Sequence, residues 1–98
     1  MGNQVAQTIL KQMGGTNRLS AMIGANNFIN HGDAVSFRFK GSTFANYFKV
    51  TLNSMDTYDI EFGKVWGTKY TVKKKFEGVY NDQLKKIFEK TTKLYLTL

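Results

Sequence analysis

The sequence predicts an α+β domain in which N- and C-terminal helices pack on one face of an antiparallel sheet of about four strands. Apolar residues recur every three or four positions near both ends of the chain, as in amphipathic helices. Between residues 34 and 76 they recur at every second position, as in half-buried strands. The apolar sides of these elements must cover each other, which gives two layers. The length predicts a single domain, residues 1–98, with one modest core.

The N-terminal third predicts two short helices followed by a turn. The apolar side of the first helix is Val5, Ala6, Ile9, Leu10 and Met13. Gly14 and Gly15 are typical of a helix end, and we expect Thr16 or Asn17 to cap a second helix that ends at Gly24. The apolar side of that helix is Leu19, Met22 and Ile23. Residues 26–29 are either a loop or a short strand, and residues 30–33 predict a turn.

Three alternating runs separated by short polar turns predict an antiparallel meander. Their apolar positions are Val35, Phe37 and Phe39, then Phe48, Val50 and Leu52, then Tyr58, Ile60 and Phe62. Gly63 and Gly67 flank Trp66 and indicate a bulge or bend. A fourth strand is expected over residues 69–76, with Tyr70, Val72 and Phe76 on the core face and Lys74 interrupting the alternation.

The C-terminal segment predicts a final amphipathic helix. We expect Asn81 or Asp82 to cap it. Its buried stripe is Leu84, Ile87, Phe88, Thr91, Leu94 and Tyr95, and its solvated face is Lys85, Lys86, Glu89, Lys90 and Lys93. The helix can therefore cover the sheet with one side while presenting lysines to water.

Positive charge is concentrated at the C-terminal end of the chain. The net charge is +7, and residues 64–98 hold nine lysines against three acidic residues. Such an asymmetry favours an anionic partner. Only two of the basic residues are arginines, Arg18 and Arg38, so any nucleic-acid binding is expected to be weakly sequence-specific.

The predicted partner-binding residues lie mainly on the open face of the sheet. They are Arg38, Lys40, Tyr47, Lys49, Lys69, Lys73, Lys74 and Lys75, with Asp59 and Glu61 nearby. One interpretation is a solvated sheet with cross-strand charge pairs, such as Lys49 opposite Asp59 or Glu61. The other is a nucleic-acid platform in which lysines meet phosphates and a ring such as Tyr47 stacks on a base.

Two rows of lysines compete as the contact surface. Lys69, Lys73 and Lys75 lie at alternating positions of one predicted strand, four and two residues apart, and we favour this row because Arg38, Lys40 and Lys49 would extend it. Lys86, Lys90 and Lys93 form the alternative row along the final helix. Trp66 is either a contact residue between its glycines or a ring that closes one end of the core.

The sequence predicts neither catalysis nor a bound cofactor or metal. It has no cysteine, and His31 is its only histidine, so a structural zinc site is not expected. Asp56, Asp59 and Glu61 lack the further ligands that a divalent-ion site needs. We expect no membrane contact and a cytoplasmic protein, because no apolar run approaches the ~20 residues of a span and the N-terminus lacks signal-peptide features.

Several segments together resemble a group of small phage- and prophage-encoded proteins of uncharacterised function. These segments are residues 8–15, 22–28, 35–39 and 52–59, with Phe62. The resemblance implies no catalytic residue; it implies a host cell as the setting and host machinery or phage DNA metabolism as the context. Two functions follow as hypotheses. The chain inhibits a host nucleic-acid-associated defence complex, or it binds single-stranded DNA or RNA directly.

Overall fold

The order of elements agrees with the predicted alternation of helices and strands. The computed structural model describes the backbone of residues 2–94 and the side chains of residues 7–94. The elements in chain order are α1 (Gly2–Gln12), α2 (Thr16–Ile23), β1 (Asn26–Asn30), β2 (Ala34–Arg38), β3 (Tyr47–Leu52), β4 (Tyr58–Trp66), β5 (Lys69–Val79), a 3₁₀ turn (Asn81–Gln83) and α3 (Leu84–Thr92).

The five strands form one antiparallel sheet in the order β1-β2-β3-β4-β5, which confirms the α+β class. The strand beyond the expected four is β1, the segment that the sequence left open between loop and strand. Its three asparagines have low strand propensity. Tertiary packing compensates, because the ring of Phe28 lies 5.4 Å from that of Phe37 on β2.

The helices cover one face of the sheet and enclose a core of aromatic rings. Phe88 of α3 lies 6.4, 5.0 and 6.0 Å from the ring centroids of Phe37, Phe48 and Phe62, which come from three strands. Ile9 of α1, Leu19 and Ile23 of α2, and Met13 directly after α1 belong to the same cluster. The expected buried layer is thus confirmed for these residues. The side chains of Val5 and Ala6, and all of Tyr95, lie outside the described residues.

Two predicted helix caps are wrong. Helix α2 follows Gly15, which has a φ of 89° and makes no side-chain cap, so Thr16 is already the first helical residue. Helix α3 follows Gln83 at the end of the 3₁₀ turn, and neither Asn81 nor Asp82 caps it. The backbone N–H of Tyr80 donates to the Gln83 side-chain oxygen at 3.3 Å and fixes this turn.

A bulge in β5 changes which side chains reach each face. Phe62 pairs with Lys74 and Gly63 pairs with Val72, so Lys73 is an extra residue without a partner on β4. This confirms the irregularity expected near Gly63. It also overturns the expectation that Tyr70 and Val72 lie in the core, because the extra residue moves both to the open face, where both are exposed. Phe76, beyond the bulge, is partly buried against the core as predicted.

The hairpin of β4 and β5 extends past Tyr47, the first residue of β3, which pairs with Gly63. We call residues 64–71 the arm. Asn46, just before β3, holds its base: its side chain accepts from the Val65 N–H at 2.7 Å and donates to the Val65 carbonyl at 3.0 Å. The Lys64 ammonium donates to the Thr43 carbonyl at 3.1 Å. Gly67, with a φ of 61°, and Thr68 form the two-residue turn at the tip.

Candidate anion-binding groove

A groove runs between β5 and α3 on the helix-covered side of the sheet. Four lysines, Lys73, Lys74, Lys90 and Lys93, line it. Its apolar and neutral lining is Phe44, Phe76, Ile87 and Thr91, and its volume is about 480 Å³. A smaller depression beside it shares Ile87 and Lys90 and adds Lys86. The fold therefore places lysines of a strand and of a helix around one concave surface.

The groove is positive throughout its described lining, which includes no acidic residue. Lys74 makes a cation–π contact, since its ammonium lies 5.2 Å from the centroid of the Phe76 ring. The Phe76 ring in turn lies 6.2 Å from Phe62 in the core. A lysine in the middle of β5 is tolerated here because β5 is an edge strand. The same position puts its charge next to those of α3.

The open face of the sheet has mixed charge, in contrast to the groove. Lys49 is paired opposite Glu61, as one interpretation of the sequence expected, and Lys75 lies 3.8 Å from the same carboxylate. A shallow pocket there has a lining with two lysines against Asp59, Glu61 and Glu77. A polyanion at this pocket would meet three carboxylates and two lysines.

Two tyrosines complete the open face. The Tyr70 hydroxyl donates to Glu61 at 2.5 Å, and its ring lies 5.1 Å from that of Tyr47. Partial burial of Tyr70, followed by its hydrogen bond to Glu61, raises the pKa of its hydroxyl well above the ordinary value. Both rings are thus engaged within the protein, which leaves Tyr47 less suited to stacking on a base than the sequence suggested.

The eight predicted partner-binding residues do not share one surface. Tyr47, Lys49 and Lys75 lie on the open face, and Arg38 is placed there by its pairing with Tyr47. Lys40 follows β2, and its side chain lies beside Gly24 at the end of α2. Lys69 pairs with Trp66 on the arm, and Lys73 and Lys74 line the groove. The expected row of Lys69, Lys73 and Lys75 is wrong because the bulge at Lys73 interrupts the alternation.

The groove also contains residues that the sequence reasoning did not place there. Phe44 belongs to the loop between β2 and β3, where no periodic pattern indicates an orientation. Lys90 and Lys93 belong to the alternative row of lysines, which the sequence predicts as a surface distinct from that of β5. Trp66 is 73% exposed. The interpretation in which its ring closes one end of the core is therefore wrong.

The described part of the chain brings one histidine and one serine side chain together. His31 Nε2 lies 2.8 Å from the Ser36 hydroxyl, yet Ser36 is fully buried and a substrate has no access to it. Within residues 7–94, no group of three or more histidine or acidic side chains is placed to hold a metal ion. Across the same part of the chain, no helix has both the length and the apolar character that a membrane span requires.

Comparison with known proteins adds no relative: no protein-family model, curated protein or solved structure matches the chain. The resemblance to phage-encoded proteins therefore stays a prediction from the sequence.

Proposed function

We propose that this chain is a non-catalytic protein that binds nucleic acid through the groove between β5 and α3. The observation that carries the proposal is the convergence of Lys73, Lys74, Lys90 and Lys93 around one concave surface whose described lining has no acidic residue. Phosphate groups are the anions that such a row of point charges attracts along its length. The open face, where carboxylates neutralise lysines, is the weaker candidate.

The chemistry of the groove favours contact with the backbone of a nucleic acid over reading of its sequence. Lysine offers a mobile point charge and lacks the planar fork with which arginine recognises guanine. The apolar lining, Phe44, Phe76 and Ile87, suits sugars and base faces, which all nucleotides share. We therefore expect similar affinities for oligonucleotides of different sequence.

Charge reversal tests the groove directly. The variant K73E/K90E changes one lysine of the strand and one of the helix, and its matched control R38E/K49E changes the net charge equally on the open face. We expect the groove variant to lose at least about tenfold in affinity for a labelled oligonucleotide at low salt, while the control loses much less. Circular dichroism checks that both variants remain folded. Equal losses from both would contradict a defined groove and indicate long-range attraction instead.

A protein partner is the second candidate function. The exposed Trp66 at a projecting hairpin is the kind of residue that anchors protein interfaces, which supports binding to a host nucleic-acid-associated defence complex. In this version the chain is a phage-encoded inhibitor in the cytoplasm of the host cell. A pull-down from host lysate with and without nuclease separates the two candidates. A protein partner that survives nuclease favours the inhibitor, and loss of all partners favours direct nucleic-acid binding.

A further inference from the structure

The side of the arm that continues the groove carries its own charged and aromatic residues. Side chains alternate along a strand, so Lys64 and Trp66 share the face of β4 on which Phe62 enters the core. Across the hairpin, Lys64 pairs with Thr71 and Trp66 pairs with Lys69. These four side chains therefore follow Lys74 along one side of the hairpin and lead away from the groove.

The arm presents Trp66 from a fixed backbone. Asn46 brackets Val65, the neighbour of Trp66, with two hydrogen bonds, and Lys64 is tied to the Thr43 carbonyl. The indole is nevertheless 73% exposed. A ring that is exposed but attached to an ordered backbone loses little conformational freedom when it stacks on a ligand. Lys64 and Lys69 on either side of Trp66 favour a ligand that is itself an anionic chain.

We propose that the groove and the arm form one continuous track for single-stranded nucleic acid, in which an unpaired base stacks on Trp66. This inference rests on the proposed function and names its ligand class. Five residues separate Lys74 from Lys69, which corresponds to roughly 17 Å along a strand. That distance accommodates a few nucleotides between the lysines of the groove and the indole. Duplex ligands offer phosphates to the groove but no free base to Trp66.

Intrinsic fluorescence tests the stacking, because Trp66 is the only tryptophan of the chain. We expect a short oligothymidylate to quench the fluorescence strongly. An abasic oligomer of the same length and inorganic polyphosphate should bind the groove yet leave the indole emission nearly unchanged. Equal quenching by all three ligands would overturn the stacking, since only the first carries bases.

Substitution of the ring gives an independent measurement. Trp66→Ala should weaken binding of the oligothymidylate roughly five- to hundredfold, the range that one base stacked on an aromatic side chain contributes, while affinity for polyphosphate stays unchanged. Trp66→Phe should restore most of the loss. Tyr80→Ala removes another exposed ring outside the arm and should have no effect.

The outcomes separate the two proposals. Unchanged oligothymidylate affinity in Trp66→Ala, with binding still lost in K73E/K90E, overturns the track and leaves the groove as the nucleic-acid site. Absence of binding to every nucleic acid at low salt overturns both. A nuclease-resistant protein partner that depends on Trp66, with oligonucleotide affinity unchanged in Trp66→Ala, overturns the track and assigns the arm to a protein interface.

Discussion

Tyr70 illustrates how strongly one side chain depends on its surroundings in this protein. Its ring lies over Gly63, and a Cβ at that position would overlap the ring of Tyr70. The absence of a side chain at Gly63 is therefore what lets the Tyr70 hydroxyl reach Glu61. The sequence does not predict this role of Gly63, because its contact with Tyr70 joins two different strands.

The ionisation of Tyr70 can be predicted from these contacts. Burial and the carboxylate of Glu61 hold the pKa of Tyr70 above its ordinary value of 10.0. Because the pKa is higher in the folded state than in the unfolded state, this group adds stability below pH 10.0, and the contribution is lost as the pH rises through the folded-state pKa. Tyrosinate absorbance should show one tyrosine titrating late, and Glu61→Gln should lower its pKa. An identical titration curve in Tyr70→Phe would contradict the assignment.

Phe62 is a core residue whose truncation should lower the free energy of unfolding. Its ring is fully buried and contacts the rings of Phe48, Phe76 and Phe88. Phe62→Ala removes these contacts and leaves a cavity, so we expect the free energy of unfolding to fall by about 3–5 kcal/mol. Urea denaturation measures the change. Met55→Ala, at an exposed turn, serves as the control and should change it by less than about 0.5 kcal/mol. Similar values for both variants would show that Phe62 is not a core residue.

At the scale of the elements, the alternation of apolar and polar residues predicts β2, β3 and β4. In β3 and β4 the alternation follows burial on one face, whereas Ala34 and Ser36 of β2 are buried as well as Val35 and Phe37. The faces predicted for β5 are wrong because Lys73 adds one residue to the strand, and a pattern of period two does not indicate where a bulge falls. The sequence of β1 is compatible with both a loop and a strand because of its asparagines, and its packing on β2 makes it a strand.

The arm depends on a single amide side chain at its base. Asn46→Ala removes both hydrogen bonds to Val65 and leaves that backbone N–H and carbonyl without these partners. We expect a local loss of about 1–3 kcal/mol, concentrated in the arm. Hydrogen exchange should therefore accelerate at the Val65 amide while the Val50 amide, in the centre of the sheet, stays protected. Uniform acceleration at both amides would mean that Asn46 supports the whole domain instead of the arm.

At the scale of the whole molecule, the groove exists only because two basic segments meet. The sequence predicts lysines on β5 and on the final helix, and Lys73, Lys74 and Lys90 lie on these elements. Lys93, expected on the helix, instead follows α3 as its C-cap, with a φ of 65° that ends the helix before Leu94. Their convergence depends on how α3 crosses the sheet after the turn at Asn81–Gln83, which no local pattern encodes. One lysine of the predicted strand row, Lys73, thus shares a surface with Lys90 and Lys93 of the predicted helix row.

The number of lysines in the groove predicts how steeply salt weakens the binding of a nucleic acid. If four lysines of the groove each neutralise one phosphate, log affinity for a single strand should fall against log salt concentration with a slope of about −3, near −0.7 for each phosphate. The variant K73E/K90E should have a slope nearer zero. Titrations over a range of salt concentrations measure both slopes, and an affinity independent of salt would rule out phosphate contacts.

The order of strands in the sheet favours rapid folding. Every strand pairs with its neighbour along the chain, so most of the sheet assembles by closing short loops. The chain also contains no proline, which removes prolyl isomerisation as a slow step. We expect refolding in a single exponential phase, on the order of milliseconds to a fraction of a second, in stopped-flow experiments. Longer closures bring the helices onto the sheet, among them the contact of Phe88 with Phe37 and the contact between α1 and the 3₁₀ turn, which joins the two ends of the described chain.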